Sequence, residues 1–73
     1  MITPGIYEHF KGGRYNVIGI AEHTENAEKF VVYHALVGDT ELKARPLAMF
    51  EERVEVNGES VPRFRLTEAG EKK

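Results

Sequence analysis

Apolar residues cluster from Phe30 to Val37 and then give way to polar turn residues, a pattern that predicts a strand followed by a turn. The cluster is rich in β-branched and aromatic residues, which favour strands. Gly38-Asp39 is typical of a tight turn, and Pro46 removes an amide donor where a second strand should end. The stretch therefore predicts two strands and a stop, and it indicates a small sheet protein.

The first half of the chain predicts two more strands. Ile6 to Phe10 is short and is closed by the turn residues Lys11-Gly12-Gly13. Arg14 to His23 is longer and has apolar residues on both faces, which suits a bent strand that serves two sides of a small barrel core, with Gly19 as the bending point. Residues 24–29 are polar and predict an exposed loop.

The second half contains a hairpin signal. Asn57-Gly58, the preferred pair for a type I′ turn, separates Val54-Glu55-Val56 from Glu59-Ser60-Val61. A two-residue loop sets Val54 opposite Val61.

These elements predict an all-β fold, a five-stranded SH3-like barrel over residues 1–66. A single helical turn near residues 47–51 would plug one end with Leu47, Met49 and Phe50. An OB-type barrel is the alternative, although it usually needs more residues and a proper helix. Residues 67–73 have no apolar content to bury and are expected to form a disordered tail.

Composition limits the function classes. The 73 residues suffice for one domain, and ten Lys and Arg against 12 Asp and Glu give a net charge of −2, so the domain as a whole lacks the positive field of a general phosphate-backbone binder. Cysteine is absent, which favours a reducing compartment. No stretch resembles a signal peptide or a membrane span. We expect a cytoplasmic protein.

The three histidines do not predict a metal site. If His23 lies opposite Phe30, then His34 faces Gly19, about 13 Å along the strand at ~3.3 Å per residue. His9 lies further still, and no metal-binding motif is present. No nucleophile or cofactor motif is found either, so neither a catalytic residue nor a cofactor is predicted.

Binding is the favoured class of function. Tyr7, His9, Tyr33 and Arg45 are the candidate ligand-binding residues, because aromatic and imidazole groups on one side of a small barrel suit an extended peptide. The alternatives are that both tyrosines are half-buried core residues with their hydroxyls at the rim and that Arg45 forms a structural ion pair with Glu8, Glu22 or Asp39.

A nucleic-acid surface is a second hypothesis. Lys43, Arg63 and Arg65 are its candidate residues, and they would form a basic stripe with other cations if their strands were adjacent. Solvated charges beside a core Phe64 are the alternative account.

Several segments resemble a bacterial family known as domain of unknown function 1653, over roughly residues 5 to 65. They are Tyr7-Glu8-His9-Phe10-Lys11-Gly12, Tyr15-Asn16-Val17, Ala21-Glu22-His23-Thr24-Glu25, Val31-Val32-Tyr33, Ala35-Leu36-Val37-Gly38-Asp39, Arg45-Pro46-Leu47-Ala48-Met49-Phe50 and Pro62-Arg63-Phe64. The resemblance implies an SH3-like barrel without established activity. It also implies aromatic residues where this chain has Val37 and Lys43, so a binding surface on that hairpin would be reduced here.

Together these observations predict a non-enzymatic binding or adaptor module with a protein or peptide partner. A nucleic-acid-binding barrel is the alternative, and a hydrolase-like enzyme with an unrecognised site is the third hypothesis.

Overall fold

In a computed structural model of the chain, residues 2–69 form antiparallel strands and one helical turn. The elements are β1 (Gly5–His9), β2 (Arg14–Glu22), β3 (Lys29–Ala35), β4 (Lys43–Pro46), α1 (Leu47–Phe50), β5 (Arg53–Val56), β6 (Glu59–Pro62) and β7 (Phe64–Ala69). A five-stranded sheet has the order β4-β3-β2-β1-β7, and β5 pairs with β6 in a second sheet. The all-β prediction is confirmed. The predicted total of five strands is wrong, because it holds for the large sheet alone. Since β4 and β7 lie at the edges of that sheet, closure into an SH3-like barrel stays a prediction.

The last strand extends past the predicted end of the domain at residue 66. Glu68 lies opposite Ile6 of β1, and the Thr67 hydroxyl donates a hydrogen bond to the Ile6 carbonyl at 3.1 Å. Backbone pairing therefore holds residues that have little apolar surface to bury, and the expected tail does not begin at Thr67. The remainder of that tail, residues 70–73, lies outside the described residues.

β2 is irregular where a bend is predicted. Its pairing with β3 changes register between Val17 and Gly19, which leaves Ile18 as the extra residue of a bulge. Val17 is buried, whereas Ile18 is 51% exposed and Ile20 is 38% exposed. The irregularity lies next to Gly19, the predicted bending point, but the expectation that both faces of β2 serve the core is wrong.

The loop between β2 and β3 is exposed, as predicted, but it includes His23. The His23 amide donates to the Glu28 carbonyl at 2.7 Å, and the Ala27 amide donates to the His23 carbonyl at 2.9 Å. Phe30 therefore lies opposite Ala21, and His34 lies opposite Asn16. The predicted pairings of His23 with Phe30 and of His34 with Gly19 are wrong, because the loop takes in His23 and leaves Lys29 to β3. The bulge at Ile18 then shifts the partner of His34 by one further residue.

The connection between β3 and β4 is longer than the predicted tight turn at Gly38-Asp39. β3 ends at Ala35 and β4 begins at Lys43, with Tyr33 opposite Lys43. Asp39 is nevertheless a turn residue, since its carboxylate accepts a hydrogen bond from the Glu41 amide at 3.1 Å.

The core lies between the inner face of the large sheet, the helical turn and the start of β7. Its buried side chains are Tyr7, Val17, Val31, Tyr33, Phe50 and Phe64. The rings of Phe50 and Phe64 stack with centroids 4.2 Å apart and planes 6° apart, and Leu47 packs against the cluster. Met49 is 48% exposed, so its predicted part in the plug is wrong, because a four-residue turn directs only one side inward.

The β5–β6 hairpin forms as predicted. Val54 lies opposite Val61, and Asn57 and Gly58 have φ values of 52° and 82°, as a type I′ turn requires. After β6, the Arg63 amide donates to the Glu52 carbonyl, and the Phe10 amide donates to the Arg63 carbonyl, both at 2.9 Å. These two bonds tie the hairpin to the end of β1.

Candidate functional site

The end of β1 is a tight glycine turn that fixes the His9 ring. The His9 amide donates to the Gly13 carbonyl at 3.0 Å, and the Gly12 amide donates to the His9 carbonyl at 2.8 Å. Gly12 and Gly13 have φ values of 99° and 79°, which glycine adopts readily. The Lys11 amide donates to His9 Nδ1 at 3.1 Å. In the neutral ring the proton therefore lies on Nε2.

Two phenylalanine rings flank His9. The centroid of the imidazole is 4.7 Å from that of Phe10 and 4.9 Å from that of Phe64, which it meets edge-on. Phe64 is buried and stacks on Phe50, so the core supports one side of the histidine. The ring is thus held by a turn on one side and by packing on the other.

Three cations lie over these same rings. Lys11 Nζ is 5.8 Å from the Phe10 centroid, Arg63 Cζ is 5.9 Å from that centroid, and Arg45 Cζ is 5.7 Å from the Phe64 centroid. Such distances are typical of cation–π contacts. We name this set of residues the His9 cluster: His9, Phe10, Lys11, Arg45, Arg63 and Phe64.

The electrostatics of His9 reflect this setting. Burial lowers the pKa of His9 below its ordinary value of 6.5, and the positive charges of Arg63, Arg45 and Lys11 lower it further. Both causes favour the uncharged ring. His9 is therefore a neutral imidazole among cations near pH 7.

Arg45 is positioned by the core. Its Nε donates a hydrogen bond to the Tyr33 hydroxyl at 3.3 Å. The carboxylates predicted as its ion-pair partners bind other cations: Glu8 pairs with Arg65, Glu22 with Lys29, and Asp39 with Lys43. No carboxylate within residues 2–69 lies in ion-pair distance of Arg45, so the expected structural pair is not formed.

The guanidinium of Arg63 has hydrogen-bond acceptors for only some of its donors. One terminal nitrogen donates to Glu52 Oε1 at 2.9 Å. Its Nε is buried and has no hydrogen-bond partner in the described part of the chain. A buried donor without an acceptor is unfavourable, and a guanidinium has further donors to offer.

A groove lies beside His9, between the end of β1, the start of β7 and the β5–β6 hairpin. Its volume is about 320 Å³. Apolar walls and one ion pair surround it, with Arg65 donating to Glu8 at 2.7 Å. Its lining residues are Glu8, His9, Phe10, Val56, Val61, Pro62 and Arg65.

The two candidate tyrosines lie in the core. Tyr7 is 5% exposed and Tyr33 is 4% exposed. The Tyr7 hydroxyl donates to the Thr3 carbonyl at 2.7 Å and accepts from the Thr3 amide at 3.2 Å, and burial raises the pKa of Tyr7. The rings therefore do not present a face to a ligand. Of the four candidate binding residues, His9 and Arg45 are half-buried and belong to the His9 cluster, whereas Tyr33 bonds Arg45 from the core.

The residues of the candidate nucleic-acid stripe all have acidic partners. Lys43 Nζ lies 3.5 Å from Asp39, Arg63 pairs with Glu52, and Arg65 pairs with Glu8. The Lys43 and Arg65 pairs are exposed, and such pairs contribute little to stability but reduce the charge offered to a phosphate. Arg63 instead joins the His9 cluster. Val37, the other position where the family implies an aromatic residue, is 80% exposed.

Sequence reasoning missed several residues of this site. The sequence places Phe10 at a strand end and Lys11 in a turn. It places Val56, Val61 and Pro62 in a hairpin, and it does not predict that the two segments form one surface. The hairpin itself has a clear signal in Asn57-Gly58. Its placement against β1 has none, because it depends on backbone bonds between residues distant in sequence.

Among the residues that the structure describes, neither a metal-ligand group nor a membrane-spanning helix is found. Histidine, aspartate and glutamate side chains among residues 2–69 form no group of three that could hold a metal ion. Within that range the helical part is the four-residue turn α1, and no helix there has the length and apolar character needed to cross a bilayer.

Comparison with known proteins identifies the family. The model of a family described as a protein of unknown function, DUF1653, matches residues 5–66. The crystal structure of a DUF1653 protein from Bordetella bronchiseptica is similar to this chain, with a TM-score of 0.83 and 30% sequence identity over 99% of this chain and 95% of that one. No curated protein is significantly similar. The chain, including every residue of the His9 cluster and of the groove, thus belongs to the DUF1653 family.

Proposed function

We propose that this protein is a small non-enzymatic binding module, and that its ligand is a peptide segment of a protein partner lying in the groove beside His9. The observation behind this proposal is the groove itself, with a volume of about 320 Å³ and walls from two separate parts of the fold. Its size is at the lower end for a small-ligand site. It suits one or two side chains of a longer ligand that continues across the surface.

The groove has the chemistry of a peptide site. The hairpin supplies valines, of which Val56 is 36% exposed, and β1 supplies His9 and Glu8. A peptide would cover the apolar wall and form polar contacts at the floor, as is usual for such sites. The bonds between Arg63, Phe10 and Glu52 hold the two walls at a fixed separation, so little ordering would accompany binding.

A peptide is favoured over nucleic acid by the charges. The chain has a net charge of −2, and Lys43, Arg63 and Arg65 each have an acidic partner. A phosphate backbone would have to compete with these partners for each of the three candidate cations. Single-stranded RNA or DNA is therefore the less favoured ligand.

The proposed module carries out no catalytic step and would act in the cytoplasm. The groove contains one imidazole, and the carboxylate next to it, Glu8, is engaged by Arg65 at 2.7 Å. A general base would need a free acceptor within reach of a substrate, and His9 Nδ1 already accepts the Lys11 amide. The cysteine-free sequence fits a reducing compartment.

The test starts with selection of peptides from a random display library on the folded domain, followed by titration calorimetry of the enriched peptides. Val56→Gln should weaken binding about tenfold, because burial of a valine contributes about 1.5 kcal/mol. Val37→Gln is the matched control, since Val37 is 80% exposed and does not line the groove. It should leave affinity unchanged.

Two results would contradict the proposal. One is the absence of any enriched peptide; the other is a Val56→Gln variant that keeps wild-type affinity while its NMR spectrum shows a native fold. Salt-dependent binding to an RNA or DNA oligonucleotide, with a steep loss of affinity as salt rises, would favour the nucleic-acid alternative instead.

A further inference from the structure

The His9 cluster concentrates positive charge in a chain that is acidic overall. Lys11, Arg45 and Arg63 lie over two rings that both contact His9, and Glu52 is the carboxylate paired with this set within residues 2–69. Like charges held close together repel one another. Such an arrangement is unfavourable in the free protein and becomes favourable when an anion joins it.

Arg45 has the geometry of an anion receptor. Tyr33 accepts its Nε hydrogen at 3.3 Å, and the Phe64 ring lies beneath its guanidinium at 5.7 Å. Its two terminal nitrogens have no acceptor in the described part of the chain. A guanidinium fixed in this way offers two parallel donors, the arrangement that binds a carboxylate in bidentate fashion.

Resting on the proposed function, we propose that the His9 cluster is a carboxylate-binding site, which receives an acidic side chain of the bound peptide at the terminal nitrogens of Arg45, with Lys11 as second cation. His9 and Phe10 belong both to this cluster and to the groove, so one peptide can reach both. The neighbouring apolar wall then covers the residues beside the acidic one.

The electrostatics of His9 support this assignment. Burial lowers the pKa of His9, and the charges of Arg63, Arg45 and Lys11 lower it further. This direction agrees with the position of the three cations over the rings of Phe10 and Phe64, which flank the histidine. Two carboxylates beside the cluster and the groove are engaged elsewhere, Glu52 with Arg63 and Glu8 with Arg65. Neither neutralises Arg45 or Lys11.

The probe is sodium acetate, titrated into the ¹⁵N-labelled full chain at constant ionic strength and followed by NMR. Acetate should produce saturable shifts in the backbone amides of Lys11, Arg45 and Arg63. Arg45→Gln should weaken acetate binding about tenfold, as expected for the loss of a charged hydrogen-bonded pair. Lys29→Gln is the control with the same change of net charge, because Lys29 pairs with Glu22 at the loop end of the β2–β3 hairpin.

Arg45 also packs on the core, so a second variant keeps the test valid if Arg45→Gln does not fold. Lys11→Gln removes an exposed cation of the same cluster and should weaken acetate binding about threefold, as expected for one solvent-exposed charge. Failure of acetate to bind, or equal binding by the cluster variants and the Lys29→Gln control, would overturn the proposal. Inorganic phosphate binding more than about tenfold tighter than acetate at equal ionic strength would overturn the carboxylate assignment in favour of a phosphate group.

The experiments distinguish a wrong carboxylate site from a wrong peptide groove. If Val56→Gln weakens the selected peptides but Arg45→Gln does not, or if those peptides lack acidic residues, the carboxylate site is wrong and the peptide groove stands. If acetate binds the cluster but Val56→Gln leaves peptide affinity unchanged, the groove is wrong and the anion site stands.

Discussion

Tyr33 holds Arg45 in place: the phenol oxygen of this core residue accepts a hydrogen bond from the arginine Nε at 3.3 Å. Tyr33 is 4% exposed. Arg45 lies opposite Val31, which is two residues from Tyr33 and on the same face of β3. Tyr33, which was expected to contact a ligand, thus holds Arg45 in position, and Arg45 is the residue that can contact one. The hydroxyl links the core to the His9 cluster.

Replacing Tyr33 by phenylalanine should destabilise the protein. The change leaves the ring in place and removes the acceptor of Arg45, which should lower the free energy of unfolding by about 1 kcal/mol. Urea unfolding followed by circular dichroism measures it. Tyr15→Phe is the control, because the Tyr15 hydroxyl has no hydrogen bond in the described structure; its effect should stay below about 0.5 kcal/mol. Equal stability of the two variants would contradict the assigned role of Tyr33.

Phe50 and Met49 are neighbours with opposite contributions. Phe50 is 1% exposed and stacks on Phe64 at 4.2 Å, so Phe50→Ala should lower the free energy of unfolding by about 3 to 5 kcal/mol. Met49 is 48% exposed, and Met49→Ala should cost less than about 0.5 kcal/mol. Thermal and urea unfolding of both variants test this pair. A similar loss in both would show that α1 does not bury the side that the structure assigns.

Glycine matters at Gly58 and not at Gly19. Gly58 has a φ of 82° in the hairpin turn, so Gly58→Ala should destabilise by about 1 to 2 kcal/mol. At Gly19 an added methyl group meets no atom within 4 Å and φ lies outside the left-handed region. Gly19→Ala should therefore be neutral or stabilise by up to about 1 kcal/mol. If Gly19→Ala destabilised the protein, the conformation assigned to Gly19 beside the bulge of β2 would be wrong.

The stability of the protein should fall as pH decreases through the range in which His9 titrates. Because the pKa of His9 is lowered from 6.5, the unfolded chain binds a proton more readily than the folded one just below that value. The contribution of His9 is thus present above pH 6.5 and is lost as pH falls towards the folded pKa. The pKa of Asp39 is lowered from 3.8 by the Glu41 amide and then by Lys43. Its contribution to stability is therefore lost only at more acidic pH, below 3.8.

NMR titration of the His9 ring and urea unfolding between about pH 7.5 and 5.5 measure this effect. His9→Asn, which keeps an acceptor near the position of Nδ1, should flatten the decline in stability. A His9 titration midpoint at or above 6.5 would contradict the burial and the nearby cations assigned to the ring.

Local patterns identified most of the elements because their signals depend on neighbouring residues. Asn57-Gly58 requires positive φ values that few other pairs adopt, and both the turn and the pairing of Val54 with Val61 follow. The apolar run from Phe30 predicted β3 for the same reason. The end of β3 at Ala35 and the inclusion of His23 in a loop had no local signal, since both depend on which register buries Val31 and Tyr33.

Part of the candidate site could be predicted from the sequence. His9, Arg45 and Arg63 were identified as chemically notable, but they were assigned to two different surfaces. Phe64 brings them together, because its ring contacts His9 on one side and Arg45 on another.

The sequence by itself determined the all-β class, the type I′ hairpin, the helical turn after Pro46 and the family resemblance. Only the tertiary structure decided that Tyr7 and Tyr33 are buried, and that three cations lie over the two rings that flank a neutral histidine beside a groove. Elements follow from the conformational preferences of adjacent residues. The site instead depends on contacts between residues far apart in the chain, such as His9 and Phe64, whose proximity is set by strand register and core packing.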